Sequence, residues 1–294
     1  MPDFRSLEVL YWAAHLQSFR KAAERLNTTQ PAVSQRISAL ESEFGARLFE
    51  RTSRSISVTA KGRALVEYAE RFLRLRADMM SALATPAAMS GVVRLGVSET
   101  IVHTWLARFI ERAHAVYPNI VIDISVDVSP VMRNALVDRE IDMAFLLGPV
   151  SEPNMSNLPL CDYPLAFVAA PGLVLGPEPL SHENILAYPL ITYPKSTAPY
   201  LLLYEGLSAP HLPSPRIFSN SSLSTIVRMT MDKIGLSVIP PVVISAELAR
   251  GDLRLVETAL TLPALNFTAT YPIQLGGGLA APLAQLAREI AVTA

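Results

Sequence analysis

The sequence predicts an α/β protein in three parts: an N-terminal winged helix-turn-helix, a long linker helix, and a C-terminal two-lobed domain of doubly wound α/β sheets. Three observations carry that prediction. Two short amphipathic helices flank a turn at Asn27, a 3–4 apolar alternation is sustained from Leu65 to Ala82, and short β-runs alternate with helical stretches from Val92 onwards. A chain of 294 residues has room for two or three domains of ordinary size.

Half of the residues are apolar and 17% are charged, which excludes a disordered chain. The formal net charge of -1 hides an asymmetry: residues 1–90 carry 13 basic and 9 acidic side chains, the remainder 12 and 17. That division suggests a basic module that meets a polyanion, followed by an acidic module with another task. The single cysteine, Cys161, can form neither an internal disulfide nor a structural zinc site, so a reducing compartment is expected. Residues 1–5 lead into an amphipathic stretch rather than an apolar signal. No uncharged apolar run reaches the length of about 18 residues that a membrane helix needs. The expectation is a cytoplasmic protein with no membrane partner.

Leu7, Leu10, Tyr11 and Ala14 recur at helical spacing and open the chain with an amphipathic helix. Ser18 suits the N-cap of a second helix, Phe19 to Leu26, whose inner face carries Phe19, Ala22, Ala23 and Leu26. The small Ala22-Ala23 pair permits a steep, close crossing. Asn27 enters left-handed backbone geometry cheaply, as a tight interhelical turn requires. Thr28 and Thr29 offer caps for the next helix, and Pro31 falls in its first turn, where a missing N–H is harmless. That helix runs from Gln30 towards Phe44 and buries Val33, Ile37 and Leu40. In a helix-turn-helix such a second helix enters the major groove, which makes Gln30, Pro31, Ser34, Gln35 and Ser38 the groove-facing candidates. Gln pairs bidentately with adenine, Ser with several base edges, and a proline ring can rest on a thymine methyl. Alternating Ile56 and Val58, with Arg51 and Arg54 at the bend, predict a two-stranded wing whose arginines reach phosphates.

The run SFRKAAERLNTTQPAVSQRISALESEFGARLFERTSRSISVTAKG, residues 18–62, resembles the winged helix-turn-helix of LysR-type transcriptional regulators. The matching features are the Ala-Ala pair, Thr-Gln-Pro-Ala-Val-Ser, Leu-Glu at 40–41, Leu-Phe-Glu-Arg at 48–51, and Thr59 followed by Gly62. The sequence departs in having Gln35-Arg36 where Arg-Gln is common, and Val58 where Leu is usual. The resemblance implies a regulator of transcription that binds double-stranded DNA at an interrupted palindrome. Thr28, Thr29, Gln30, Pro31, Ser34, Gln35, Arg36, Arg51 and Arg54 match its DNA-contacting segment, and the exchange at 35–36 leaves open which of that pair reaches the bases. It further implies a homodimer assembled into a homotetramer, RNA polymerase as a further partner, and an effector domain like a type II periplasmic binding protein.

Leu65, Tyr68, Phe72, Leu75, Met79 and Ala82 form a 3–4 stripe of under three heptads, which reads as a two-stranded helical pairing between protomers. The stretch from Ala84 to Gly91, with Pro86 and Ser90, reads as a hinge. Beyond it, Val92–Val97 is expected as a strand, Ile101 to Val116 as a helix, Ile120–Val126 as a strand, Met132–Asp138 as a helix and Ile141–Leu147 as a third strand. A second series follows: strands at Leu165–Ala169, Leu190–Thr192 and Ile217–Ser219, a helix over Leu223–Lys233, and a strand at Leu236–Ile239. Phe267–Tyr271 and the helix Leu279–Ala291 are expected to return to the first lobe. The resulting boundaries are 1–59, 60–90 and 91–294, with one lobe of 91–160 plus 266–294 and another of 161–265.

Two lobes place a ligand at strand C-terminal ends. Ser98-Glu99-Thr100 and Asn220-Ser221-Ser222 each open a helix there, and two helix N-termini facing one cleft would clamp a small carboxylate. The plainer reading is that both are ordinary N-caps. The LysR-type resemblance favours the first, since its effector is held near the matching positions. Gly148, Tyr193 and Lys195 are further candidates, Lys195 to neutralise an anion and Tyr193 or Trp105 to stack on a flat effector. Glu99 repels an anion, so it points away or meets an amine or hydroxyl on the effector. The five histidines show no metal spacing, the run Gly276-Gly277-Gly278 lacks the Lys-Ser/Thr of a phosphate loop, and Cys161 has no histidine partner. No enzyme and no cofactor are expected beyond the small, anionic effector. The alternatives are a small-molecule binding protein and a ligand-blind repressor whose C-terminal domain serves only oligomerisation.

Overall fold

The computed structural model describes residues 3–51, 56–83, 89–208, 212–273 and 278–293, and the chain separates into two compact units that divide at residues 84–85. The first unit holds α1 (Phe4–Leu16), α2 (Phe19–Arg25), α3 (Gln30–Glu43), β1 (Phe49–Arg51), β2 (Ile56–Val58) and α4 (Ala60–Leu83). Each of the first three helices starts where a side chain satisfies an otherwise orphaned amide: Asp3 accepts from Ser6 N, Ser18 from Lys21 N and Thr29 from Ala32 N. Leu10, Tyr11, Ala22, Ala23, Val33, Ile37 and Leu40 bury together, and Leu48, Phe49, Ala69 and Leu73 close the same core from the wing and from α4.

Residues of the sequence motif tie this unit together. Glu41 Oε1 accepts from the amides of Leu48 and Phe49 at 2.8 and 3.2 Å, which anchors β1 to the end of α3. Thr59 Oγ1 donates to the Arg47 carbonyl at 2.8 Å and accepts from Gly62 N at 2.9 Å, so it starts α4 and pins it to the wing. A Cβ at position 62 would strike the Leu48 carbonyl, which is why glycine stands there. Along α4, Ala69 and Leu73 face the core, whereas Tyr68, Phe72, Leu75 and Met79 are all more than half exposed. The apolar alternation of this helix therefore belongs to two faces. The expected hinge falls mostly on 84–88, and the triple glycine mostly on 276–277, outside the described residues.

The second unit contains two five-stranded sheets. The first has the order β4 (Asn119–Val126), β3 (Ser90–Val97), β5 (Met143–Leu147), β12 (Leu265–Pro272), β6 (Met155–Tyr163). β3 runs parallel to β4 and β5, while β12 is antiparallel to both β5 and β6. The second has the order β11 (Arg254–Val256), β7 (Ala166–Ala169), β10 (Leu236–Ile239), β8 (Leu190–Thr192), β9 (Ile217–Ser219), with β8 parallel to β9 and β10. Around them lie α5 (Glu99–Val102), α6 (Leu106–Val116), α7 (Ser129–Val137), α8 (His182–Leu186), α9 (Ala198–Leu207), α10 (Leu223–Met231), α11 (Ser245–Arg250) and α12 (Ala280–Ala291).

Two expectations require correction. The helix expected from Ile101 to Val116 is broken: α5 ends at Val102 and α6 begins at Leu106. Thr104 Oγ1 donates to the carbonyls of Thr100 and Ile101 at 3.0 and 3.2 Å, capturing acceptors that a continuing helix would give to later amides. Strand β6 went unrecognised because Pro159 interrupts it. It is an edge strand with a bulge opposite Phe267 and Thr268, where proline is tolerated, and it continues to Tyr163, past the expected change of lobe at 160–161.

The first sheet is fastened at its parallel half by Arg94 and Asp142. Asp142 accepts from Arg94 N, Nε and Nη2 at 2.9, 3.1 and 2.9 Å. Burial pushes this carboxyl upward, but the Arg94 hydrogen bonds and charge outweigh it and hold the pKa below the ordinary value. A carboxyl depressed in the folded state contributes stability above its unfolded pKa of about 3.9, and that contribution is lost as pH falls through the folded value. The Asp142→Asn variant should be less stable than the parent at neutral pH by about 1–3 kcal/mol. It should also show a flatter decline of urea midpoint below about pH 4. Parallel acid profiles for the two proteins would remove this pair from the stability of the sheet.

Candidate functional site

Two surfaces collect the candidate residues. On the first unit, the turn before α3 is made by Asn27, whose φ of 48° is left-handed, and the amide of Thr28 returns to the Ala23 carbonyl at 2.9 Å. This closes the angle between α2 and α3 and leaves the N-terminal end of α3 outward. Thr28, Thr29, Gln30, Pro31, Gln35 and Ser38 are exposed, and Ser34 is half-buried on the same helix. Arg36 turns back instead. Its Nη1 donates to Asp3 Oδ2 at 3.4 Å and to Ser6 Oγ at 3.5 Å, linking α3 to the start of α1. Hydrogen bonds from Ser6 above all, with Arg36 adding its charge, hold the Asp3 carboxyl below the ordinary range. Arg51 lies at the end of β1, and Arg54 and the side chain of Arg51 lie outside the described residues.

On the second unit, a cavity of about 340 Å³ opens between the two sheets at strand C-terminal ends, the position expected of a ligand site in open α/β sheets. Ser98, Glu99 and Thr100 reach it from the end of β3, Asp127 and Ser129 from the end of β4, and Leu147 from β5. Tyr193 arrives from the end of β8, Thr197 and Pro199 from the start of α9, and Ser221 and Ser222 from the start of α10. Leu265 and Phe267 of β12 form its apolar floor. Six residues expected from the sequence therefore line one cavity: Ser98, Glu99, Thr100, Tyr193, Ser221 and Ser222.

Three others stand apart. Gly148 follows the lining residue Leu147, but a Cβ there would strike Thr268, so packing against β12 accounts for this glycine. Lys195 is exposed and does not line the cavity. Asn220 turns inward on its own loop, its Oδ1 accepting from Ser222 N at 2.8 Å. Trp105, expected as a stacking surface, is instead fully buried in the core with its ring 5.3 Å from Phe145. Asp127, Ser129, Thr197, Leu265 and Phe267 were missed. The first two sit where β4 ends, a position the strand-end rule indicates, whereas the β12 residues are brought in from the far end of the chain and carry no local signal.

The electrostatics of the cavity are unusual for a site expected to hold an anion. Among the described residues that line it there are two carboxylates, Glu99 and Asp127, and no lysine or arginine. Glu99 does not face the open space alone, since its Oε2 accepts from Leu223 N at 2.6 Å, across to the first turn of α10. Its Oε1 is 3.7 Å from Nε2 of His103, the residue that caps the C-terminal end of α5. Beside it, Thr100 Oγ1 and Tyr193 Oη are 3.4 Å apart, and burial pushes the Tyr193 phenol far above its ordinary pKa, so it remains a neutral donor. A second cavity shares Ser129 and Leu147 and holds Arg133, already ion-paired with Glu152. No three His, Cys, Asp or Glu side chains among the described residues come together to hold a metal. Cys161 is half-buried, and burial above all pushes its thiol up, away from the reactive thiolate.

Both units of the chain are similar to known proteins. Residues 4–63 match the family model for the bacterial regulatory helix-turn-helix protein, lysR family, and residues 86–288 match that for the LysR substrate binding domain. The HTH-type transcriptional regulator GltR of Bacillus subtilis (strain 168) is 26% identical over 254 residues, which is 86% of this chain and 84% of that protein. In fold, the chain is similar to full-length LysG from Corynebacterium glutamicum with bound effector Arg. The TM-score is 0.63 at 17% identity, over 99% of this chain and 98% of that one. It is also similar to full-length CbnR complexed with its target DNA, with a TM-score of 0.53 at 19% identity, over 98% and 99% of the two chains. No helix among the described residues is long and apolar enough to cross a membrane.

The turn at Asn27 sets the presentation of α3 and can be tested directly. Asn27→Val places a β-branched residue in left-handed geometry and should lower the stability of the parent by about 1–2 kcal/mol, whereas Asn27→Gly should cost less. Thermal unfolding followed by circular dichroism reads the difference, and equal melting of the two variants would show that the turn imposes no strain.

Proposed function

The chain belongs to the LysR family of DNA-binding transcriptional regulators with an effector-binding domain, and we propose that its effector is a small carboxylate held in the cavity between the two sheets. The observation that carries this reading is the convergence of Ser98, Thr100, Ser129, Thr197 and Ser221 on one cavity at the ends of parallel strands. Hydroxyls and main-chain amides at such ends are donors suited to a carboxylate. Glu99 and Asp127 in the same wall suit an amino or hydroxyl group on the same molecule. LysG, similar in fold, has arginine as its bound effector, a molecule carrying groups of both kinds.

On the DNA side, we assign base readout to Gln30, Pro31, Ser34 and Gln35, with Thr28 and Thr29 at the phosphates beside them. Gln35 takes the base-reading role because Arg36 is engaged with Asp3 and Ser6. Arg51 and Arg54 supply phosphate contacts from the wing, which position the module without reading sequence. The exposed stripe of Tyr68, Phe72, Leu75 and Met79 pairs with the same stripe of a second protomer, so that two modules straddle an interrupted palindrome. A pair of such dimers makes the working tetramer, which meets RNA polymerase at the promoter. Effector binding favours one arrangement of the two lobes, and that preference shifts the placement of the DNA modules.

Fluorescence anisotropy of the full chain on DNA from upstream of its own coding region, against a scrambled duplex at two salt concentrations, tests the regulator. Specific binding should exceed random binding by about 10³-fold or more. Gln30→Ala should cost about 1–3 kcal/mol on the native duplex and little on the scrambled one. Equal losses on both would remove Gln30 from base readout. The double variant Ser98→Ala, Ser221→Ala should keep operator binding and lose the change in operator footprint that small carboxylates produce. An unaltered response would exclude the cavity as the effector site.

A further inference from the structure

The main cavity adjoins a second space at the end of β5. Ser129 and Leu147 line both it and a further cavity of about 370 Å³. These two residues bond to each other, the Leu147 amide donating to Ser129 Oγ at 2.9 Å. They form a waist between the spaces, at which the hydroxyl hydrogen of Ser129 is left to donate. Past the waist the walls include Pro130, Pro149 and Val150, with Ala198 brought from α9 of the other lobe, and none of these side chains carries a donor or acceptor. Arg133 follows Ser129 by one turn of α7 and so stands on the same face of that helix, and Glu152 faces it from the chain after β5.

Among the described residues that line either cavity, Arg133 is the one lysine or arginine. Its pairing with Glu152 is one-sided. Nε donates at 3.2 Å and Nη2 donates as well, both to the same oxygen, Oε1. Nη1 has no partner among the described residues. A planar guanidinium offers two edges, and a carboxylate on the Nε edge leaves the Nη1–Nη2 edge for another. Glu152 therefore orients the cation without using it up. The guanidinium is also the more exposed partner, its side chain 53% accessible against 33% for Glu152.

We infer that the effector is an α-amino dicarboxylate that reaches through the waist and sets its second carboxylate on the free edge of Arg133. The inference rests on the reading of the main cavity as the effector site and adds the far end of the molecule. The α-carboxylate stays with the hydroxyls of Ser98, Thr100 and Ser221, and the amino group with Glu99 and Asp127. The methylenes between the two acid groups pass Leu147 and Pro149. A monocarboxylate of the same length leaves the cation unengaged, and a chain ending in an amine is repelled by it. Arg133 is thus the residue that selects a second acid group.

Titration calorimetry on the full-length protein tests this with α-amino dicarboxylates from aspartate to α-aminosuberate, each against the α-amino monocarboxylate with the same number of carbons. At one chain length or more the dicarboxylate should bind about tenfold tighter or better, the gain expected for a hydrogen bond to a charged group. Arg133→Gln should remove that gain and leave monocarboxylate binding as in the parent, which also shows that the variant is folded. Should it fail to fold, Arg133→Lys keeps the pair with Glu152, loses the free edge, and should still reduce the gain. Glu152→Gln keeps an acceptor for Arg133, removes the like charge beside the incoming carboxylate, and should enlarge the gain. Loss of the gain in the Arg133 and Glu152 variants alike would make the pair structural and overturn the inference. Equal binding of the two series at every length overturns it as well, while leaving the main cavity as the effector site. Tighter binding of the α,ω-diamino acid of matching length, lost in Glu152→Gln, would give the second space to Glu152 and overturn the role of Arg133. Binding of neither series, or binding that the Ser98→Ala, Ser221→Ala double variant leaves unaltered, overturns the reading of the main cavity and this inference with it.

Discussion

Strand β12 lies antiparallel between β5 and β6, and much of the second unit follows from that insertion. The chain completes β3, β4 and β5, passes through β6, builds the whole second sheet, and only then returns with β12 to fill the gap in the first. The two sheets are therefore held by strand crossings rather than by a single flexible link. The parallel strands of both sheets end towards a common space, and β12 supplies its floor through Leu265 and Phe267. The same insertion dictates two features that look functional in isolation. Gly148 is small because Thr268 of β12 crosses it, and Pro159 is accepted because β6 is left at an edge with a bulge.

Given this frame, the short helix α5 becomes the mechanical centre of the cleft. It exists as a separate turn because Thr104 takes the carbonyls of Thr100 and Ile101, freeing α6 to set off in another direction. That break aims Glu99 and Thr100 at the opposing lobe, where they meet Leu223 and Tyr193. A charge-assisted bond and a buried hydroxyl pair thus join the two lobes beside a cavity whose described lining residues include no lysine or arginine.

The first unit follows a different economy, in which motif residues hold the framework and exposed ones remain for the partner. Glu41, Thr59 and Gly62 fasten the wing to α3 and α4, and none of them needs to touch a nucleic acid. Arg36 likewise serves the framework, because Asp3 and Ser6 hold it. Gln30 and Gln35 are exposed near the start of α3, and the proposed readout at bases rests on them, with attraction to phosphate left to the arginines around them. In α4, the split between a core face at Ala69 and Leu73 and an exposed face from Tyr68 to Met79 lets one helix both finish the domain and leave an apolar stripe exposed.

Local chemistry determined what could be read along the chain. Asn27, the caps Ser18 and Thr29, the Ala22-Ala23 crossing and the short β-runs each act on neighbours a few residues away, so their consequences are legible from spacing and residue type alone. The candidate residues Ser98 to Thr100 and Ser221 to Ser222 were equally legible, as helix starts after strands. Tertiary structure decided the remainder, because those decisions depend on pairs remote in sequence. Leu223 and Glu99 are 124 positions apart, and Thr268 must arrive before Gly148 has a reason to be glycine. A carboxylate that reads as hostile to an anionic ligand is turned by the fold onto a helix amide of the other lobe. Spacing along one chain carries no record of which distant donor will stand opposite.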